Sequence, residues 1–317
     1  MAVPLEAKGS ACHHHEHEVF GKLRMHLSKL GEVDLHSHHF RRFGSVKQPP
    51  NPPKETEGKF NDTAKGVYPL LRLYFTPMPR SPAPGSLVLA LDTGSPQVSV
   101  ALARGGELAA VRVAPMERSS NQVLEMMREV LAEAGARPAD LGGIVALRGP
   151  GSFTGVRIGL ATAFGFHQAL GIPATGLSTF EILAVAADAP PGAVILAAMD
   201  ALRGDWSVQG FASDPVPTSL GVPELVPAGQ IPTVFDRLGA PPAPPDNRVL
   251  AGFDLNRLTA LPGWPAEIRL FTPGPERPLA AVAALRTADP SIVWDAGLLT
   301  DPVYSRPPAV TLPRPRR

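Results

Sequence analysis

The chain has 317 residues, of which 44% are hydrophobic and 19% charged, so it can bury a core and has room for about two ordinary domains. Its net charge of +1 gives no sign of a strongly basic nucleic-acid binder, and one cysteine excludes an internal disulfide framework. The sequence contains neither an apolar run long enough for a membrane span nor a hydrophobic leader. These features predict a cytoplasmic protein without membrane contact.

Residues 1–86 differ in composition from the remainder. Every lysine lies at or before Lys65, and all histidines except His167 lie at or before His39. Proline clusters at 49–53 and 77–84 break any regular element. We predict that 1–86 is a disordered or non-native N-terminal extension, with a true start near Met78 or Val88 as the sharper hypothesis.

Histidines in this extension raise the question of a metal site. His13, His14, His15 and His17, together with Cys12, are residue types that bind zinc or nickel. The segment Asp34–His38 also resembles the opening metal motif of PHP-type phosphoesterases, but it lacks the preceding buried strand and the later histidines. We therefore favour a solvated tail and predict no metal site.

From Leu87 onwards the pattern indicates alternating strands and helices. Three antiparallel strands are predicted at 87–91, 98–102 and 107–113. A helix capped by Ser119 or Ser120 follows at 120–134, with its buried face formed by Val123, Met126, Met127, Val130, Leu131 and Ala134.

A fourth strand, at 143–147, should lie parallel to the first because a helix crosses over between them. The loop 149–154 then begins a helix to Leu170, whose small residues Gly155, Gly159 and Ala163 form a stripe that another element can approach closely. A short strand at 174–177 and a helix capped by Ser178 complete a predicted first subdomain, 87–190.

Residues 191–317 are predicted to form a smaller, Pro-rich second subdomain. Its elements are strands at 193–199, 205–212 and 248–251, a short helix near 233–238, a helix at 278–288, and an irregular tail. This order predicts an α/β protein of the actin-like ATPase (ribonuclease H-like) fold with two subdomains.

In that fold the turn after the first strand faces phosphate. Asp92 could hold a metal-bound water, and the amides of Thr93, Gly94 and Ser95 could bind an anion; equally, Asp92 could only shape the turn. An independent ATP-binding phosphotransferase therefore stays an alternative function.

Asp92-Thr-Gly-Ser95 also matches the active-site sequence of aspartic proteases. That chemistry needs two carboxylates that share a proton, and the nearest second candidate is Asp295-Ala-Gly297. The predicted helices at 120–134 and 155–170 argue against a protease architecture, so a peptidase is only a second alternative.

The loop Gly149-Pro-Gly-Ser-Phe-Thr-Gly155 matches neither of two familiar catalytic turns. No lysine follows Gly155, as a P-loop requires, and Pro150 stands where a nucleophile elbow needs glycine. His167, a packed or surface histidine in our interpretation, offers no Ser-His-Asp set. Physically, Gly151, Ser152 and Thr154 form a glycine-rich helix start that could bind an anion.

Residues 149–163, GPGSFTGVRIGLATA, resemble the hallmark of the TsaB family. The resemblance extends to Leu89–Thr93, Arg118–Leu124, Gly171–Ser178, Met199–Asp205 and the closing segment Asp301–Thr311, so it covers about 87–311. Ser119 or Ser120 replaces the family's histidine, and the Pro-rich stretch 213–265 aligns poorly.

The resemblance implies a non-catalytic subunit, with no catalytic residue of its own, required for threonylcarbamoyl transfer to adenosine 37 of tRNAs that read ANN codons. It implies a TsaD-type catalytic subunit and a TsaE-type ATPase as partners, indirect contact with tRNA, and a homodimer when the partner is absent. No intrinsic cofactor is expected, although ATP or ADP could bind at an interface within the complex.

The same resemblance suggests where the partner binds. The docking face would be formed by Met126, Met127, Val130, Gly155, Gly159 and Ala163. On this prediction Gly159→Leu abolishes partner binding and leaves the chain folded. Any anion or nucleotide would contact Asp92, Thr93, Gly94, Gly151, Ser152 and Thr154.

Overall fold

The computed structural model describes residues 81–116, 120–214, 216–238, 244 and 247–306. The histidine cluster and most of the predicted extension therefore lie outside the described residues. Its last residues, 81–86, lie on the first sheet: Pro82 lies over Gly143 and Ser86 over Gly142. This short segment therefore packs as part of the fold.

The first half of the chain contains five strands and three α-helices in the described residues, with a 3-10 turn at Pro138–Asp140. The strands are β1 (Leu87–Asp92), β2 (Gln97–Arg104), β3 (Glu107–Pro115), β4 (Leu141–Leu147) and β5 (Ala174–Leu177). The helices are α1 (Ser120–Glu133), α2 (Phe153–Leu170) and α3 (Thr179–Ala186). Each element lies within a few residues of its predicted position.

These five strands form one sheet in the order β3-β2-β1-β4-β5. β1, β2 and β3 are antiparallel, whereas β4 and β5 run parallel to β1. Both β1 and β4 are buried along nearly their whole length, as their continuous apolar sequences predict.

The second half repeats this plan. Its strands are β6 (Val194–Asp200), β7 (Asp205–Asp214), β8 (Val216–Ser219), β9 (Glu224–Pro227), β10 (Arg248–Gly252) and β11 (Arg269–Phe271). The sheet order is β11-β10-β6-β7-β8, and β9 pairs with β7 as well. Its helices are α4 (Ile231–Arg237), α5 (Asn256–Thr259) and α6 (Leu279–Arg286).

Helices and sheets alternate in layers. α1 and α2 cover the outer face of the first sheet, and α4 and α5 cover the outer face of the second. Between the sheets lies a shared core that contains α3 and α6, with Phe180 fully buried at its centre. This arrangement confirms the predicted actin-like ATPase fold.

The end of the chain returns to the first sheet. α6 packs against β1 and β2, and the turn Ala296–Thr300 packs against β5 and α2. Residues of the predicted second subdomain, 191–317, therefore also pack on the first sheet. α6 is buried at each position from Leu279 to Ala284, which suits an element enclosed between two sheets.

Among the helices in the described ranges, none is both long and apolar enough to cross a bilayer.

Candidate functional site

The signature loop and the turn after β1 are joined directly. The backbone amide of Ser152 donates a hydrogen bond to the carbonyl oxygen of Gly94 at 2.7 Å. The hydroxyl of Thr93 donates to the carbonyl oxygen of Gly155, also at 2.7 Å. The start of α2 is therefore held on the turn Thr93–Ser95 by bonds from both sides.

Glycines in this contact leave space for backbone, not for a ligand. A Cβ atom at Gly155 would lie 1.9 Å from the Thr93 carbonyl oxygen, and one at Gly151 would lie 2.6 Å from that of Gly94. A Cβ at Gly159 would lie 2.3 Å from the Thr93 hydroxyl oxygen. The small-residue stripe of α2 thus accommodates a turn of its own chain.

The structure corrects the predicted docking face. Its six members are all buried within the chain: Met126, Met127, Val130, Gly155, Gly159 and Ala163. The methionines and Val130 belong to the core beneath α1, and the glycines contact Thr93. The pattern of small and apolar residues predicted burial correctly, but the buried contact is intramolecular. Gly159→Leu should therefore disrupt the fold itself.

Asp92 lies at the carboxyl end of β1 and is 1% exposed. Its Oδ1 atom accepts hydrogen bonds from the amides of Gly94 and Ser95, both at 3.2 Å. Burial raises the pKa of this carboxyl to about 6, against the lowering effect of the donors on Ser95 and Gly94. Two of the three amides assigned to an anion nest thus already bind the side chain of Asp92, which shapes the turn.

The remaining predicted anion ligands lie at the start of α2. Ser152 is the N-cap, and its hydroxyl accepts a hydrogen bond from the Gly155 amide at 3.3 Å. Thr154 is exposed and lines a cavity of about 260 Å³ with Thr93, Ser152 and Gln122. The structure brings these residues together, but most of their polar groups serve the turn-to-helix contact.

A segment at the end of the described chain, Asp301–Arg306, crosses the signature loop; we call it the strap. The Val303 amide donates to the Arg148 carbonyl oxygen at 2.7 Å, and Arg148 forms an ion pair with Asp301 at 2.8 Å. A Cβ at Gly149 (φ 101°) would lie 2.3 Å from the Val303 carbonyl oxygen. The loop is therefore enclosed between the β1–β2 turn and the strap.

Beyond the loop, the strap meets α2 and the second sheet. Arg157 Nε donates to the Tyr304 hydroxyl at 2.9 Å, and the Tyr304 ring lies 5.0 Å from that of Phe153. Arg306 donates to the carbonyl oxygens of Ala201 and Leu202 and forms an ion pair with Asp205. Sequence analysis described this tail as irregular and missed its role, because its partners lie far away in the chain.

The structure also shows the surroundings of His167 and which side chains could bind a metal. His167 is buried, and its Nδ1 atom lies 2.7 Å from the carbonyl oxygen of Ile172, which agrees with a packed histidine. Within the described ranges, no three His, Cys, Asp or Glu side chains come together as a metal-binding group.

The duplicated sheets, the buried aspartate after β1 and the glycine-rich start of α2 define a protein of the actin-like ATPase class. Comparison with known proteins indicates which family within this class the chain resembles. Residues 113–209 match the family model "TsaD: tRNA N6-adenosine threonylcarbamoyltransferase". TsaB of Escherichia coli, a tRNA threonylcarbamoyladenosine biosynthesis protein, is 38% identical over 120 residues, which are 37% of this chain and 52% of that protein.

Two further relatives agree. TsaB of Bacillus subtilis is 34% identical over 98 residues, or 31% of this chain and 43% of that protein. The structure of YeaZ from Pseudomonas aeruginosa superposes with a TM-score of 0.55 and 28% identity, covering 69% of this chain and 99% of YeaZ. These similarities support the TsaB family for this chain. It spans about half the length of the curated relatives that it matches.

Proposed function

We propose that this protein is a non-catalytic subunit in the biosynthesis of threonylcarbamoyladenosine in tRNA, and that it acts by docking a TsaD-type catalytic subunit. One observation carries the proposal. The loop that the chain shares with the family is enclosed by its own β1–β2 turn and strap, through Gly94, Gly149 and Val303. A loop used in this way supports the fold and the surface above it, so its residues have little space left for a substrate.

The docking face consists of the outward sides of α1 and α2, which cover the same side of the first sheet. Residues at helical spacing point outward there: Leu124, Arg128 and Ala132 on α1, and Ala161, Phe164 and Gln168 on α2. This surface combines partly buried apolar side chains with exposed polar ones, which is the composition of a non-obligate interface. We name these six residues the helical face.

A substitution at the centre of the helical face tests this docking. Ala161→Arg should weaken co-purification with a TsaD-type protein of the same organism by at least tenfold, because an arginine there adds bulk and charge to the contact. Ala139→Arg is a matched control at an exposed position away from the face. Equal binding of both variants and the unsubstituted chain would overturn the assignment, provided that their thermal unfolding midpoints agree.

Depletion in the native host tests the function itself. Threonylcarbamoyladenosine, measured in tRNA by mass spectrometry, should fall on depletion and return with the unsubstituted chain or Ala139→Arg, but not with Ala161→Arg. Unchanged modification after depletion would contradict the proposal.

A TsaE-type ATPase is the proposed second partner, and ATP or ADP would bind at an interface within the complex. The use of the Gly94 and Ser95 amides by Asp92 supports this location over a site inside the isolated chain. Calorimetry with ATP and Mg²⁺ should accordingly show no tight binding to the isolated protein. Micromolar binding would favour an independent phosphotransferase instead.

A further inference from the structure

The hairpin between β6 and β7 exposes an apolar side chain at its tip. Leu202 is 70% exposed, whereas the flanking Ala201 and Trp206 are buried. Leu202 and Arg203 both have left-handed backbones, with φ of 66° and 58°. Such a conformation costs a non-glycine residue about 1–2 kcal/mol, so two successive examples need support from their surroundings.

That support comes from three charged side chains. Asp200 accepts a hydrogen bond from the Leu202 amide at 2.8 Å and forms an ion pair with Arg257. Arg306 of the strap binds the carbonyl oxygens of Ala201 and Leu202. Strained backbone held by several bonds at an exposed tip is typical of binding sites, since it fixes an apolar side chain in solvent.

The strap connects this tip to a second group of side chains, in which half-buried Tyr304 contacts exposed Phe153 and Arg157. Tyr304 lies two residues before Arg306, at most about 7 Å along an extended chain. It contacts Phe153, which is 45% exposed, and Arg157, whose guanidinium lies 3.9 Å from the Phe153 ring centre. These contacts fix rotamers before binding and so reduce the entropy lost on association.

Charge distinguishes this surface from its surroundings. Around it, Arg148, Arg257 and Arg306 are matched one to one by Asp301, Asp200 and Asp205. Arg157 and Arg203 are exposed and make no ion pair within the described residues. Two arginines beside exposed Phe153 and Leu202 and half-buried Tyr304 give the composition of a protein-binding hot spot.

We infer that Phe153, Arg157, Tyr304, Leu202 and Arg203 form a docking surface for an acidic protein segment that carries an apolar side chain. We call these five residues the tip surface. Charge complementarity selects the acidic segment. A nucleic acid is disfavoured, because Arg157 and Tyr304 already lie against the Phe153 ring where a base would stack. Among the described residues of this surface, moreover, only Arg157 and Arg203 lack an ion pair and could neutralise phosphates.

Nuclear magnetic resonance titration of the full chain tests the inference with defined probes. The first probe is a twelve-residue peptide with one tryptophan flanked by glutamates; the second replaces each glutamate by lysine; the third is a decamer of uridine. The acidic peptide should shift the resonances of the tip surface, and the shifts should shrink as salt is raised. No shifts with the acidic peptide, or larger shifts with the uridine decamer, would overturn the inference.

Variants separate this surface from the helical face. Arg203→Glu should weaken binding of the acidic peptide at least tenfold, and it leaves the fold intact because the side chain is exposed. Arg104→Glu makes the same charge change at the opposite end of the first sheet, where Arg104 pairs with Leu87, and should have no effect. Ala161→Arg, on the helical face, should leave peptide binding unchanged. The proposed helical face and the proposed tip surface can therefore fail independently of each other. Equal weakening by Arg203→Glu and Arg104→Glu would show only a general charge effect and overturn the assignment.

Discussion

The β1–β2 turn and the β6–β7 turn occupy equivalent positions in the two halves, yet their surroundings are opposite. In the first, Asp92, Thr93 and Ser95 are at most 3% exposed, and glycines of α2 lie against them. In the second, Leu202 is exposed, and the side chains of Arg306 and Asp200 hold the backbone in place. The duplicated fold thus uses one turn as an internal support for a helix and the other as an exposed tip.

The largest expected effect comes from breaking the buried turn. Gly155→Ala places a methyl group against the Thr93 carbonyl oxygen, which is backbone and cannot rotate away. We expect a loss of about 3 kcal/mol or more in the free energy of unfolding, measured by urea denaturation. Gly221→Ala is the control, since nothing lies within 4 Å of its added methyl, and its effect should stay within about 0.5 kcal/mol. A tolerated Gly155→Ala would contradict the tight contact.

Asp92 makes the buried turn sensitive to pH. Its pKa is raised from 3.8 to about 6 in the folded state, so its contribution to stability is present below pH 4 and is lost as pH rises through 6. The shift corresponds to at most about 3 kcal/mol. Asp92→Asn should lack this component, so the stability difference between variant and wild type should move in favour of the variant from pH 4 to 7.5. Parallel pH curves would contradict the assignment.

The sequence predicts features of these turns and helices that depend on neighbouring residues, and it misses contacts between residues that are far apart in the chain. Apolar periodicity placed β1, α1 and α2 well, because those patterns are local. The same small-residue pattern in α2 cannot say whether a partner helix or the chain's own turn fills it, and the structure shows the latter. Arg157 and Tyr304, which are in contact, lie 147 residues apart along the chain, and no local pattern in the tail predicts this contact.

Substitutions at the exposed tip should lower the free energy of unfolding less than those at the buried turn. Arg306→Ala removes hydrogen bonds to the carbonyl oxygens of Ala201 and Leu202 and an ion pair with Asp205. The expected loss is about 1–2 kcal/mol, with faster hydrogen exchange at the Leu202 amide. Arg237→Ala removes a surface ion pair with Glu224 and should cost less than about 1 kcal/mol. Equal effects of the two variants would argue against the bracing role of Arg306.

The smallest effect should have the opposite sign. Arg203→Gly relieves a left-handed backbone and should stabilise the protein by about 0.5–1 kcal/mol. Gly204→Ala, at φ 85°, should cost a similar amount although nothing lies near its added methyl. The thermal unfolding midpoints of Arg203→Gly and Gly204→Ala, each compared with that of the wild type, measure these effects. Destabilisation by Arg203→Gly would show that the turn is not strained.

The return of α6 to the first sheet has a consequence for synthesis on the ribosome. The inner face of β1 and β2 stays uncovered until residues 279–286 have left the exit tunnel, because α6 covers it. The first half therefore cannot complete its core as an independent N-terminal unit, although domains usually fold in the order of synthesis. Translation that stops before α6 should yield a chain with exposed Val88, Ala101 and Ala103, and such a chain would be prone to aggregate.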